Sequence, residues 1–157
     1  MKRQAQILFD VITQIRNLRS LIEIKPDTMT RVCIYAHGKA KEKLIKENVG
    51  LITNLAKLEN LRLLGSTKKP KDTLSTFVEG LDIFLEFGGL INREKEKQRI
   101  EKELQNAADR KAAKEKLLKN AEFIKKAPRE LVDKTRQEKT DLQDKIERLE
   151  KLLKELG

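Results

Sequence analysis

The chain has 157 residues, enough for one domain or two small ones, with 38% charged residues, 4% aromatic residues and a formal net charge of +10. So few aromatics are thin for one globular core and fit long solvated helices. The positive balance points to a polyanionic partner, nucleic acid first and an acidic membrane surface second, although Lys-rich helices are also soluble without any such partner.

A single cysteine, Cys33, excludes an internal disulfide and fits a reducing compartment. No apolar run approaches the roughly 20 residues that span a bilayer. Asp10 interrupts Ile7–Ile12, so no signal-peptide pattern forms. A cytoplasmic chain with no membrane partner is expected.

Lys2 to Ile22 reads as an amphipathic helix, with Leu8, Val11, Ile12, Ile15, Leu18 and Ile22 on one side and Arg16 and Arg19 together on the opposite flank. It has no capping signal and is expected to be the last helix of something larger. Lys25-Pro-Asp27 breaks the pattern. Arg31–Ala36 reads as a strand, with Cys33 in the core and His37-Gly38 as the turn after it. Lys39 to Leu58 reads as helix, divided at Gly50, with Leu44, Ile45, Leu51, Ile52, Leu55 and Leu58 facing inward. Leu61–Leu64 is left open between strand and helix end. After a loop at Gly65–Asp72, Leu74–Glu79 and Leu81–Phe87 alternate around Gly80 as a β-hairpin. The expected organisation is a terminal helix (1–25), a small mixed α+β unit (26–90), and a long arm (91–157). The fold class is α+β.

The arm is expected to be an antiparallel two-helix coiled-coil hairpin. Asn92 suits an N-cap before a helix from Arg93 to Lys119, roughly 40 Å at about 1.5 Å per residue. Asn120 is expected to end that helix in the left-handed conformation, Ala121–Ala127 to form the bend, and Pro128 to open the returning helix. Arg93, Lys97, Ile100, Leu104, Ala107, Lys111, Lys114 and Leu118 share one heptad seam. Val132, Thr135, Lys139, Leu142, Ile146, Leu149, Leu153 and Leu156 share the other. Pairing Ile100 with Leu149, Leu104 with Ile146, Ala107 with Leu142 and Leu118 with Val132 keeps the summed position numbers nearly constant, as antiparallel register requires. A parallel dimer through the second helix is the alternative to a monomeric hairpin. Leu and Ile give way to Lys and Thr in the middle of the seam, so the distal half is expected to be held loosely.

Charge is unevenly placed along the arm. Arg110–Lys139 holds eleven Lys/Arg against five Asp/Glu, whereas the rest of 91–157 holds nine against ten. The candidate contacts for an anionic partner are Arg110, Lys111, Lys114, Lys119, Lys125, Lys126, Arg129, Lys134 and Arg136 around the bend, with Lys116 among them. Lys and Arg bring charge to phosphates without reading base sequence. Phe123 either stacks on an unpaired base or plugs the end of the coiled coil with Ile124. No catalytic constellation is visible. His37 is the only histidine, which rules out a His pair or a His-based zinc site within the chain, and no phosphate-cradling Gly-rich loop is present. The acidic residues alternate with Lys on helices, the pattern of solvated faces.

At the bend, Leu118-Lys-Asn120-Ala-Glu-Phe123-Ile-Lys-Lys-Ala127-Pro128-Arg-Glu-Leu-Val132 resembles the signature of the C-terminal coiled-coil arm of the valyl-tRNA synthetases, a class I aminoacyl-tRNA synthetase family. Gly89-Leu-Ile-Asn92-Arg-Glu94-Lys-Glu96-Lys-Gln-Arg99-Ile100 resembles the family's approach to the arm, with Asn92 where Asp is usual. Leu51–Leu58 and Ile15–Arg19 are similar to the preceding segments, the latter to the end of the anticodon-binding domain. The resemblance implies a non-catalytic tRNA-binding segment of a valine-tRNA ligase, its arm set against the outer corner of tRNA where the D and T loops meet, and it adds Arg16 and Arg19 to the candidate contacts. It implies tRNA, in particular tRNA-Val, and the rest of the synthetase as partners. It also implies no cofactor or metal in this segment, the parent enzyme using ATP and Mg. The family's catalytic motifs need two histidines and a Lys-Met-Ser-Lys-Ser-like loop, which this sequence lacks. A structural coiled coil docking an acidic protein or ribosomal surface through its basic tip is the alternative function.

Overall fold

The computed structural model describes residues 2–157, with side chains from Arg3 onward. The chain separates into two compact units, one built from residues up to Asn92 and one from Arg93 to Glu155. Among the described residues no helix is long and apolar enough to cross a membrane.

The first unit holds α1 (Lys2–Leu21), β1 (Thr30–Ala36), α2 (Lys39–Glu47), α3 (Val49–Leu55), β2 (Leu58–Leu63), β3 (Thr73–Val78) and β4 (Leu81–Glu86). The four strands form one mixed sheet in the order β2-β1-β4-β3. β1 is parallel to β2 and antiparallel to β4, and β3 and β4 are antiparallel. Cross-strand partners share a face. Val32, Leu85 and Leu74 form one apolar row, and Ile34 and Ile83 another with Thr76. Thr76 donates from its hydroxyl to Gln14 Oε1 at 3.3 Å, which sets this face against α1. The α1 residues read as inward from the sequence, Leu8, Val11, Ile12, Ile15, Leu18 and Ile22, are all buried there. Each such side chain contributes about 1.5–3 kcal/mol by leaving water.

The β3–β4 hairpin turns at Glu79-Gly80, both with positive φ (50° and 77°), as a two-residue turn matched to strand twist requires. The helix read over Lys39–Leu58 ends earlier than expected and breaks at Asn48, not Gly50. The Asn48 amide side chain donates to Leu44 O at 2.8 Å and its backbone N–H to Ile45 O, which closes α2. The break resets the helical phase. Ile52 and Ala56 are buried, whereas Leu51 and Leu55, expected inside, stand exposed. Leu58–Leu63 resolves as strand β2.

The second unit is the hairpin: α4 (Arg93–Lys119), α5 (Ala121–Lys126) and α6 (Arg129–Leu156), with α4 and α6 packed together. Ala107, Leu142 and Ile146 form a buried cluster with Leu104 against it, the pairing the register arithmetic requires. Near the end of α6 the buried position is Leu152 rather than Leu153, a one-residue phase drift of the seam.

Candidate nucleic-acid interface

The bend is a short helix, not a loop. Asn120 does not close α4 in the left-handed conformation; its backbone is extended (φ −78°, ψ 112°) and it caps α5 instead. Its Oδ1 accepts from the backbone N–H of Glu122 at 3.0 Å and of Phe123 at 3.3 Å. Asn at this position satisfies two donors that a helix start otherwise leaves unpaired. Pro128 is the N-cap of α6 rather than its first helical residue. Its carbonyl accepts from Leu131 at 3.0 Å and Val132 at 3.2 Å. The tip is therefore a helical turn held by a cap on each side. Phe123 is half-buried and Ile124 is exposed.

The basic side chains of the arm fall into two groups. Those along the shaft are engaged. Lys114 Nζ meets Glu138 at 2.5 Å, Lys134 reaches the same carboxylate at 4.0 Å, and Lys139 reaches Glu115 at 4.0 Å. Lys111 lies 3.5 Å from Glu115 and donates to Gln143 Oε1, and Arg136 lies 3.6 Å from Asp133. Hydrogen bonding from Lys114 holds the Glu138 carboxyl below its ordinary value, with smaller help from Lys134 and the nearby Arg110. A polar groove of about 590 Å³ opens between α4 and α6 at this level, lined by Lys111, Glu115, Arg136 and Lys139 among others. The seam residues Val132 and Thr135 are buried above it, and Thr135 returns its hydroxyl to Leu131 O at 2.8 Å.

The cations at the tip are different. Lys116, Lys119, Lys125, Lys126 and Arg129 are all exposed, and among the described residues none makes an ion pair or side-chain hydrogen bond. The one acidic residue between Lys116 and Arg129 is Glu122. Five unneutralised charges, running from the end of α4 through α5 to the first residue of α6, are what a polyanion meets first.

Arg19 is spent inside the first unit, and Arg16 only in part. Arg19 is buried, and its guanidinium donates to Lys25 O at 2.9 Å, Thr30 Oγ1 at 3.2 Å and Lys57 O at 3.3 Å. Burial pulls its pKa down from the ordinary arginine value. Arg16 donates to Leu55 O at 2.9 Å, at the C-terminal end of α3. Arg16 meets a carbonyl at the C-terminal end of α3, and Arg19 adds a second donor to Lys25 O and Lys57 O, which also accept from the Thr28 and Thr30 amides. Their acceptors at the end of α3 lie 38–39 residues away in sequence, which no local pattern reveals.

Among the described residues no three His, Cys, Asp or Glu side chains gather as a metal-ligand set.

Residues 92–157 match the family described as the valyl tRNA synthetase tRNA binding arm. The chain is similar to the valine--tRNA ligase of Aquifex aeolicus (strain VF5), at 30% identity over 99% of this chain and 13% of that protein. It is 32% identical to the valine--tRNA ligase of Symbiobacterium thermophilum over 94% of this chain and 16% of that protein. With the valine--tRNA ligase of Thermotoga maritima the identity is 29%, over 95% of this chain and 16% of that protein. The chain thus spans a small fraction of the length of these relatives.

Proposed function

Residues 92–157 belong to the valyl-tRNA synthetase tRNA-binding arm family, and from that premise we propose that this chain is a non-catalytic tRNA-binding segment whose arm tip rests on the outer corner of a tRNA, where the D and T loops meet. The observation that carries the reading is the set of five exposed, unpaired cations on and beside the capped turn of the arm. They neutralise backbone phosphates and so hold the tRNA without reading its sequence. Arg110, Lys134 and Arg136 add charge below the tip, and Lys111 and Lys114 chiefly tie the two helices together. Arg19 leaves the contact set, because its buried guanidinium is committed to Lys25 O, Lys57 O and the Thr30 hydroxyl, whereas exposed Arg16 keeps donors beyond its one bond to Leu55 O and stays in it.

The segment acts as a monomer and supports aminoacylation, with valine, ATP and Mg handled by the parent valine-tRNA ligase outside these residues. Selection of tRNA-Val then rests on contacts beyond the arm, since phosphate contacts are blind to sequence.

Binding of tRNA across a salt series tests this. Four or five phosphate contacts predict a log–log slope of roughly −3 to −4. A flat salt dependence, or no binding at low salt, sinks the reading. Reversing Lys125, Lys126 and Arg129 to Glu removes three of the five tip cations and should abolish most of the salt dependence. Unchanged tRNA binding by that variant moves the contact elsewhere, and equal binding of an acidic protein of similar charge returns the arm to a protein-docking role.

A further inference from the structure

The sheet of the first unit carries an aromatic cluster that its core does not use. Tyr35 on β1, Asp82 on β4 and Phe77 on β3 are direct cross-strand partners, so their side chains stand on one face, opposite the face that packs on α1. His37, just past β1, is tied to the β3–β4 turn by its backbone N–H, which donates to Gly80 O at 2.9 Å. Its Nε2 lies 2.7 Å from Asp82 Oδ2. The imidazole is perpendicular to the Tyr35 ring with centroids 4.8 Å apart, and edge-on to Phe77 at 5.9 Å. Phe77 is 61% exposed. Three ring systems are thus fixed side by side, the middle one oriented by a carboxylate, and the outermost offers most of its surface to solvent.

A sheet that only needed a soluble face would carry a polar residue at position 77. A lone exposed apolar side chain is ordinary, but Phe77 is one of three rings held in fixed contact. The charge around it selects what covers it. Residues 1–92 hold fifteen Lys/Arg against ten Asp/Glu. Lys39 and Lys41 follow His37 in the first turn of α2. Glu79, the acid at the turn beside the cluster, is already shared by Lys41 at 4.0 Å and Arg3 at 3.8 Å. The exposed face of Phe77, braced edge-on by His37 and with Lys39 in the nearby first turn of α2, fits a flat π-system joined to a phosphate. Every nucleobase offers a π-face to such a surface, and flanking Lys and Arg take the backbone. We propose that Tyr35, His37 and Phe77 form a second RNA contact, a stacking platform for unpaired bases, distinct from the phosphate-binding tip. Phe77 is the main stacking surface and His37 is a positioning residue, holding its ring and Asp82 in register. Asp82 adds an acceptor of the kind an exocyclic base amino group donates to. The platform does not depend on the arm's role in tRNA binding.

The test uses the full chain and a fluorescein-labelled single-stranded RNA hexanucleotide, too short to fold, with binding read by anisotropy. Saturable binding is expected, weakened about tenfold or more by Phe77→Ala and retained by Phe77→Trp. Because Phe77 is exposed, the Ala variant keeps the wild-type melting temperature, which a melt confirms. The tip variant with Lys125, Lys126 and Arg129 reversed to Glu should still bind the hexanucleotide with at least a third of wild-type affinity. No binding of the hexanucleotide, equal binding by Phe77→Ala, or loss of binding on tip reversal alone overturns the platform. An acidic hexapeptide bound as tightly as the RNA, and equally sensitive to Phe77→Ala, also overturns it and gives the surface to a protein partner. Failure of the tip variant to lose tRNA would count against the arm reading and leave the hexanucleotide result standing.

Discussion

Arg19 concentrates more structural duty than any other polar side chain of the first unit. Its one guanidinium satisfies Lys25 O, Lys57 O and the Thr30 hydroxyl at the junction of α1, α3 and β1. Hydrogen bonds from a charged group contribute about 1.5–3 kcal/mol, so Arg19→Ala should destabilise the first unit by at least about 2 kcal/mol, read as a lower urea midpoint. Arg16→Ala, on an exposed side chain with a single acceptor, should cost less than half as much. Asn120 is the counterpart in the arm. Asn120→Ala removes a cap of about 1 kcal/mol, and the Glu122 and Phe123 amides should exchange about fivefold faster. Unchanged exchange there would mean the turn is held by packing of Phe123 instead. Glu138 makes the shaft pH-sensitive. Its folded pKa lies below the unfolded one, so its contribution is complete above the ordinary glutamate value and falls away as pH drops through the lowered one. The acid loss of arm helicity, followed by circular dichroism below about pH 5, should be shallower in Glu138→Gln, and that variant should start from a lower melting temperature at neutral pH.

At the scale of elements, the seam of the hairpin changes character along its length. The base buries Ile100, Ala107, Leu142, Ile146 and Leu149, whereas the distal layers pair Lys111 with Gln143, Lys114 with Glu138 and Lys139 with Glu115. Half-exposed ion pairs contribute little once screened by solvent. Hydrogen exchange should therefore rise from Leu104 to Lys111, and equal protection at the two positions would contradict a loose distal half. The seam was legible because its 3.5-residue repeat is local and strong. The hairpin at Gly80 was legible for a similar reason, since two alternating runs flank a residue that tolerates positive φ. β2 was not. Leu58, Leu61 and Leu63 suit a helix end as well as a strand, and what makes them a strand is β1, a parallel partner 28 to 29 residues away. Intrinsic propensity points to Gly50 as the break, whereas Asn48 makes it because its side chain bonds its own backbone. Asn120 was recognised as a helix punctuator, yet the same residue type ends one helix or begins the next, and only the short α5 decides which.

At the scale of the whole molecule, each unit carries about half of the net +10, but by different means. In the first unit the positive charge is spread over α2, the Gly65–Asp72 loop and the sheet edge, and part of it is consumed by the fold. In the arm, a nearly neutral base leads to a charged end. The basic excess of the bend was readable by counting. Which of its cations stay unpaired was not, because Lys116 and Lys114 look alike in sequence and differ only in whether a carboxylate of the facing helix lies within reach.

Because the turn at the tip is helical and capped, the display of its cations has an angle as well as a sum. A residue added to an α-helix rotates everything beyond it by about 100°. One Ala inserted between Ile124 and Lys125 would turn Lys125 and Lys126 away from Phe123 while leaving the charge untouched. A partner that senses only the local potential would not notice the insertion, whereas one that meshes with the turn would lose the two lysines together. Electrostatic attraction and shape recognition, which charge reversals always change at once, become separable through the phase of a single helical turn.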